Sequence, residues 1–201
     1  MRASTRREFV AGPAGRIECA VDGPDGPAAS SPKGIALIAH PHPLYGGTLD
    51  NKVVQTLARA FVELGFESWR PNFRGVGETE GTHDEGRGEL EDLAAIVAHL
   101  KPARLALAGF SFGAGVQALL AARVKPERLV LIGVAVGRFE LPPVAPGTLV
   151  IHGEKDDTVP LAAVLDWARP QDLPVMVVPG ADHFFHRKLH ILRGLVRAWC
   201  A

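Results

Sequence analysis

The chain has 201 residues, which suffices for one domain over residues 1–201 with a sizeable hydrophobic core. Its 22 lysines and arginines balance its 22 aspartates and glutamates, and a formal net charge of zero argues against a general nucleic-acid binder. Hydrophobic residues make up 47% of the sequence, which excludes a disordered chain.

Neither a membrane span nor a signal peptide is expected. The longest apolar runs are far shorter than the roughly 18–20 residues that cross a bilayer. The basic N-terminal segment MRASTRREFVAG is not followed by the apolar region of a signal peptide. Cys19 and Cys200 stand at opposite ends of the chain and in no motif, so we expect reduced thiols and a cytoplasmic location.

Two short strands are predicted before a loop rich in Gly, Pro and Ser over residues 23–32. In the second strand Ile17, Cys19 and Val21 alternate with polar residues, a pattern typical of a half-buried antiparallel strand. Further strands are predicted over residues 34–40, 66–73, 104–110, 128–136, 148–152 and 173–178, and helices over 53–62, 89–100, 113–123, 161–168 and 184–199. This order predicts an α/β fold, a mostly parallel and doubly wound sheet with an N-terminal antiparallel hairpin.

The strand over residues 104–110 leads directly into Gly109-Phe110-Ser111-Phe112-Gly113, a G-x-S-x-G motif that opens a helix. At such a sharp turn side chains larger than glycine would collide, and the serine hydroxyl is lifted clear of the sheet. The free N–H groups at the start of the helix then lie beneath a developing negative charge. This arrangement resembles the α/β-hydrolase superfamily and its fold, and the resemblance implies Ser111 as a nucleophile.

In that superfamily an acid and a histidine follow the nucleophile in chain order. Residues 153–160, GEKDDTVP, resemble the family's G-x-x-D-x-x-V-P turn, which implies Asp156 as the acid and leaves Asp157 as the alternative. Residues 179–185, PGADHFF, resemble its G-x-x-H-F loop and imply His183. By this resemblance the acid orients the imidazole, which takes the serine proton and later returns it to the leaving group.

The resemblance also implies two backbone donors for an oxyanion. One is the N–H of Phe112, and the other comes from the loop over residues 40–48, HPHPLYGGT. Because the two prolines of that loop have no N–H, its donor is His42 or Leu44. The longer run HPHPLYGGTLDNKV resembles small, lidless α/β hydrolases of bacteria, a subgroup of predicted esterases.

Only residues 137–148, GRFELPPVAPGT, connect the fourth parallel strand to the strand before the acid. Two helices of about 10–14 residues each do not fit into this connector, so no lid domain is expected. The site is then open to water, with Tyr45, Phe110 and Phe184 as expected substrate contacts. An open site favours small or exposed acyl groups, and a homodimer whose partner covers the cleft is the alternative.

Eight histidines raise the question of a metal site. His183, His186 and His190 are spaced for one face of the last predicted helix. However, no H-E-x-x-H motif occurs, and neither cysteine lies near a histidine cluster. The pair His40 and His42 lacks the x-D-H continuation of dinuclear zinc hydrolases. We therefore expect no metal and no cofactor.

Taken together, the motifs predict a serine hydrolase that cleaves carboxylic esters of small or exposed acyl groups through an acyl-enzyme on Ser111. Its expected partner is a small-molecule ester. A thioesterase, an acyltransferase or a perhydrolase on the same residues are alternatives, because they differ in the bond cleaved or in the second-step acceptor. A non-catalytic binding scaffold is a further alternative, although it has no need of the full set of three residues.

Overall fold

The computed structural model describes residues 5–26 and 30–201. In this part of the chain the strands are β1 Arg6–Gly12, β2 Gly15–Asp22, β3 Ile35–Ala39, β4 Glu67–Pro71, β5 Leu105–Phe110, β6 Arg128–Ile132, β7 Leu149–Gly153 and β8 Val175–Val178. The helices are α1 Lys52–Glu63, α2 Arg87–Leu100, α3 Phe112–Val124, α4 Leu161–Ala168 and α5 Leu189–Cys200. Of the predicted surface loop over 23–32, residues 27–29 lie outside the described residues.

The eight strands form one sheet in the order β1-β2-β4-β3-β5-β6-β7-β8. The β1–β2 and β2–β4 pairs are antiparallel, and every pair from β4–β3 to β7–β8 is parallel. This confirms the predicted mostly parallel sheet with an N-terminal hairpin. Since the parallel strands point in one direction, the loops after β3, β5, β7 and β8 meet at one edge of the sheet.

Hydrophobic cores lie on both faces of the sheet. Apolar side chains of α1 and α5, such as Phe61 and Val196, pack against one face. Those of α2 and α3, such as Leu93 and Leu120, pack against the other. Both faces of the central strands are therefore covered, which explains why β5 is buried along its whole length and reads as a continuous apolar run.

The last helix is shorter than predicted, because it begins at Leu189 rather than at residue 184. Phe185 and Arg187 have left-handed backbone conformations, with φ of 55° and 62°, which a continuous helix does not allow. The loop conformation turns the Phe185 ring into the core, where it is fully buried. His186 thus precedes the helix, and its predicted placement on the helical surface beside His190 was wrong, whereas His183 lies in the loop before the helix as the G-x-x-H-F resemblance implies.

The predicted half-buried pattern of β2 was also wrong, because Glu18 is as buried as its apolar neighbours. The carboxylate of Glu18 accepts hydrogen bonds from Asn72 Nδ2 and from the Glu78 N–H, both at 2.8 Å, and forms an ion pair with Arg7. The loop after β4 supplies the two hydrogen-bond donors, and the neighbouring strand β1 supplies Arg7. A buried charge with several partners is tolerated where an unpaired one would not be.

The connector between β6 and β7 contains no helix over residues 133–148, as predicted. Its Phe139 side chain packs against the Phe112 ring, with centroids 5.3 Å apart. A methyl group at Gly86 or Gly115 would overlap the Phe139 ring, so these glycines make room for it. No helix among the described residues has the length and apolar character that a membrane span requires.

Candidate active site

Ser111 occupies the sharp turn between β5 and α3. Its φ of 56° and ψ of −117° are strained for a residue with a side chain, and the turn is held by a 2.9 Å hydrogen bond from the Ser111 N–H to the Ile132 carbonyl. A methyl group at Gly109 would lie 2.5 Å from the Gly113 carbonyl oxygen, and one at Gly113 would overlap the His40 carbonyl. The two glycines of the motif therefore permit the close approach that this turn requires.

Three side chains from different loops meet beside this turn. His183 Nε2 lies 3.0 Å from Ser111 Oγ, and His183 Nδ1 lies 2.7 Å from Asp156 Oδ2. The other carboxylate oxygen of Asp156 accepts hydrogen bonds from the N–H groups of Thr158, at 3.0 Å, and Val159, at 2.8 Å. A hydroxyl, an imidazole and a carboxylate are thus connected in line, which is the geometry for moving a proton from the hydroxyl to the ring.

Asp157, the alternative acid, does not take part in this arrangement. Its side chain is exposed, and from the described residues its carboxylate accepts only a 3.4 Å hydrogen bond, from the Thr158 hydroxyl. Asp156 is buried and faces the imidazole instead. The register of the turn after β7 therefore brings Asp156, rather than Asp157, to His183.

The electrostatics of the loop keep Asp156 ionised. Burial alone would raise the pKa of Asp156, but the hydrogen bonds from His183 and from the Val159 N–H outweigh it, and the pKa lies below its ordinary value. His152, on β7, packs against the same carboxylate with its Nε2 3.4 Å from Asp156 Oδ2. Burial lowers the pKa of His152, whose neutral ring donates from Nε2 to the Val159 carbonyl at 2.9 Å. Sequence reasoning had not assigned His152 to the site.

The backbone donors near Ser111 come from two segments. Phe112 is the first residue of α3, so its N–H has no acceptor within the helix. In the loop after β3, the Leu44 N–H donates to His42 Nδ1 at 3.3 Å, which caps a short 3₁₀ helix over Pro43–Tyr45. The His42 N–H, by contrast, has no backbone acceptor among the described residues.

Comparison with known proteins shows the family to which this chain belongs. The family model of the α/β hydrolase fold matches residues 44–147. An uncharacterized protein of Rickettsia prowazekii is 33% identical in an alignment of 200 positions, which covers 90% of this chain and 82% of the relative. The chain belongs to the α/β-hydrolase family.

Two solved structures define the kind of α/β hydrolase more closely. A serine hydrolase without a lid from Xanthomonas campestris is 38% identical, with a TM-score of 0.87 over 99% of this chain and 94% of that one. An α/β serine hydrolase homologue from Coxiella burnetii is 39% identical, with a TM-score of 0.88 over 98% and 97% of the two chains. They confirm the predicted resemblance to small, lidless bacterial α/β hydrolases.

A cavity of about 240 Å³ opens beside Ser111 in this hydrolase. Of the three predicted substrate contacts, only Tyr45 lines it. Phe184 is exposed but lines a separate cavity of about 270 Å³ near the start of α1. The remaining walls come mostly from the connector after β6 and from the loop that leads into α4. Sequence reasoning had assigned no residue of the connector to the site, and from the loop it had assigned only the acid.

The prediction that Phe110 contacts the substrate was wrong. Phe110 is fully buried and packs behind His183, with ring centroids 4.8 Å apart. As the last residue of β5 it points to the sheet face covered by α1 and α5, because side chains alternate along a strand. The Phe110 ring therefore supports the imidazole and does not reach the cavity.

One group of side chains with metal-binding atoms occurs among the described residues, namely His42, His83 and Glu85, with donor atoms within 4.8 Å of one another. His83 Nδ1 lies 2.7 Å from the buried Glu89 carboxylate, so only its Nε2, which lies 3.5 Å from Glu85 Oε1, is available to a cation. His42 Nδ1 accepts the Leu44 N–H, so the proton of its neutral ring is on Nε2. The group thus offers a cation one ring nitrogen and one carboxylate, fewer than the three or four protein ligands of zinc sites.

His42 and His83 also contact each other. Their ring centroids lie 4.8 Å apart, and both Nε2 atoms are buried with no hydrogen-bond partner among the described residues. This ring contact connects the loop that contains His42 to the segment before α2, where His83 approaches the buried carboxylate of Glu89.

Proposed function

We propose that this α/β hydrolase is a serine hydrolase that cleaves carboxylic esters through an acyl-enzyme on Ser111. The observation that carries the proposal is the in-line contact of Ser111 Oγ with His183 Nε2, at 3.0 Å, and of His183 Nδ1 with Asp156, at 2.7 Å. A serine hydroxyl is a weak nucleophile by itself, and an adjacent imidazole that accepts its proton activates it.

In the first half of the reaction Ser111 Oγ attacks the carbonyl carbon of the ester while its proton moves to His183 Nε2. The tetrahedral adduct collapses, the bond to the alcohol oxygen breaks, and the imidazolium gives its proton to the departing alcohol. In the second half His183 removes a proton from water, the hydroxide adds to the acyl-enzyme, and the carboxylic acid leaves Ser111 with its proton restored. The ionised Asp156 holds the Nδ1–H tautomer and stabilises the imidazolium in both halves.

The adduct carries a negative charge on the former carbonyl oxygen, and backbone donors stabilise it. The Phe112 N–H is one donor in this proposal. For the second donor the structure favours His42 over Leu44, because the Leu44 N–H is already engaged by the His42 ring. Pro41 and Pro43 flank His42 and restrict its backbone, which lowers the cost of reorganisation during the reaction.

The shape of the cavity favours small or exposed acyl groups. Its volume of about 240 Å³ lies below the roughly 300–1,000 Å³ of pockets that bury drug-sized ligands. The helix-free connector over residues 133–148 does not cover the cavity mouth, and Tyr45 at that mouth is 77% exposed. We therefore propose short-chain esters, or acyl groups that protrude from a larger molecule, as substrates.

The experiment compares wild type, Ser111→Ala and Ser31→Ala with p-nitrophenyl acetate and butyrate, and with a fluorophosphonate probe. Ser31 is exposed and lies in the loop before β3, so its variant controls for loss of a serine hydroxyl elsewhere. We expect Ser111→Ala to lose at least about 10³-fold in kcat and all probe labelling, because the nucleophile is absent. Wild-type turnover by Ser111→Ala, or no labelling of the folded wild type, would end the proposal.

A further inference from the structure

We propose that Arg138 forms an anion-binding subsite at the rim of the Ser111 cavity, so that the preferred substrates are esters that also carry a carboxylate. This inference rests on the proposed function, since it concerns the same cavity. It specifies the charge of the preferred substrate and the side chain that binds this charge.

The first observation is the composition of the cavity wall. The cavity that opens beside Ser111 is lined by apolar side chains, such as Val136 and Pro160, together with neutral polar ones. Among the described residues that line it, Arg138 is the only one with a permanent charge. An apolar cavity with one fixed cation at its rim recognises a substrate that is apolar at one end and negative at the other.

The second observation is that this cation has no counter-ion. Most arginines of the described chain lie within 4 Å of a carboxylate, as Arg74 does with Asp92 and Arg104 with Glu127. No carboxylate of the described residues lies within 4 Å of Arg138. Its planar guanidinium group is therefore free to bind a carboxylate through two parallel hydrogen bonds.

The third observation is that the side chain is held at the cavity mouth. The guanidinium carbon of Arg138 lies 5.6 Å from the centroid of the Tyr45 ring, and its Nη2 donates to Tyr45 Oη at 3.5 Å. Because the phenol oxygen accepts this bond, its own O–H is free to donate to the same anion. The two side chains, from two different loops, thus present neighbouring donors at the cavity.

The backbone that carries Arg138 is fixed as well. The Arg138 N–H donates to the Ala135 carbonyl at 3.2 Å, and the next residue, Phe139, packs against the Phe112 ring. The positive charge also reaches the loop after β3, since Arg138 lowers the pKa of His42, second only to burial. The cation therefore stands at a defined place beside the proposed oxyanion donors, rather than on a freely moving surface chain.

The test uses two pairs of esters, each an anion matched with a neutral carboxamide. The first pair, 4-acetoxybenzoate and 4-acetoxybenzamide, carries the group on the leaving alcohol. The second, the p-nitrophenyl half-ester of adipic acid and its carboxamide, carries it on the acyl chain. The measured quantity is the ratio of kcat/KM for the anion to kcat/KM for its neutral partner, in wild type, Arg138→Gln and Arg59→Gln. Arg59 is an exposed arginine of α1 outside the cavity and without an ion pair in the described structure, so its variant is a matched control.

We expect wild type and Arg59→Gln to prefer the anion in at least one pair, and Arg138→Gln to lower that ratio about 10-fold, since a hydrogen bond to a charged group is lost. In wild type the ratio of kcat/KM for the anion to kcat/KM for its neutral partner should fall with added salt, because salt screens a cation that lies near solvent. Equal ratios in wild type and Arg138→Gln for both pairs would overturn the subsite. That outcome is distinguishable from failure of the proposed function, in which the neutral esters are not hydrolysed through Ser111 at all.

Discussion

Replacing Asp156 by asparagine tests the proposed proton path with the smallest change in shape. In the wild type one carboxylate oxygen accepts the N–H groups of Thr158 and Val159, and the other faces His183 Nδ1. The amide oxygen of asparagine can keep both backbone hydrogen bonds. Its NH₂ group must then face the imidazole, so that His183 Nδ1 becomes an acceptor and its proton moves to Nε2.

With a proton already on Nε2, the ring cannot take the Ser111 proton. In serine proteases the same change of tautomer lowers kcat about 10⁴-fold, which corresponds to roughly 5 kcal/mol of transition-state stabilisation. We expect a loss of the same order here, because the 2.7 Å and 3.0 Å contacts show the same chain of groups. The KM should change far less, since neither substituted atom lines the cavity.

The assay is the pre-steady-state rate of p-nitrophenolate release at pH 7, with Asp157→Asn as the matched control. Asp157 is the next residue, is exposed and does not contact the imidazole, so its variant should keep the wild-type rate within about threefold. A folded Asp156→Asn enzyme within tenfold of the wild-type rate would refute the reasoning. A collapse of Asp157→Asn alone would show that the wrong acid was chosen.

The remaining predictions concern stability. A methyl group at Gly153 would lie 2.6 Å from the Ala181 carbonyl, just before His183, so we expect Gly153→Ala to lower the free energy of unfolding by about 1–3 kcal/mol and to lower kcat. Gly194 lies in open space on α5, so Gly194→Ala should raise the free energy of unfolding by about 0.5–1 kcal/mol. Urea denaturation and kcat measurements check both, and a neutral Gly153→Ala would contradict the first. Burial lowers the pKa of His40 to about 4, so between that pH and about 6.5 the unfolded chain binds a proton that the folded chain does not bind. The free energy of unfolding should therefore fall by about 3 kcal/mol as the pH falls from about 6.5 to about 4. The free energy of unfolding measured against pH in wild type and in His40→Asn checks this prediction. The same pH dependence in both proteins would contradict it.

The fold was predictable because its signals are local and redundant. The alternation of strands and helices is visible in apolar runs and stripes, and two glycines with a serine between them define the turn after β5. The failures have one common cause, which is contact between distant segments. Glu18 is buried because a loop some sixty residues later supplies its partners. The last helix begins late because Phe185 turns into the core.

The candidate site, like the fold, was predictable where its signals are local and was not predictable where it depends on tertiary contacts. Ser111, Asp156 and His183 stand in short motifs at strand ends, and the order of those strands in the sheet brings them together. Phe110 stands in the same motif, yet the pleat of β5 turns it to the opposite face, which only the register of the strand reveals. Arg138 lies in a segment with no motif. Its position at the cavity depends on Phe139, whose ring lies against Gly86, just before α2, and Gly115 of α3.

The Phe112 ring explains how an uncovered site can keep its proposed oxyanion donors in place. It contacts His42, with ring centroids 4.7 Å apart, His83 at 5.5 Å, Phe73 at 5.6 Å and Phe139 at 5.3 Å. These residues belong to three segments around the edge of the sheet, namely the loops after β3 and β4 and the connector after β6, and Phe112 itself supplies one of the proposed N–H donors. A donor fixed by packing needs no reorganisation when the charge develops. The packing around this one aromatic ring therefore holds the proposed donor in place without a helical lid over the site.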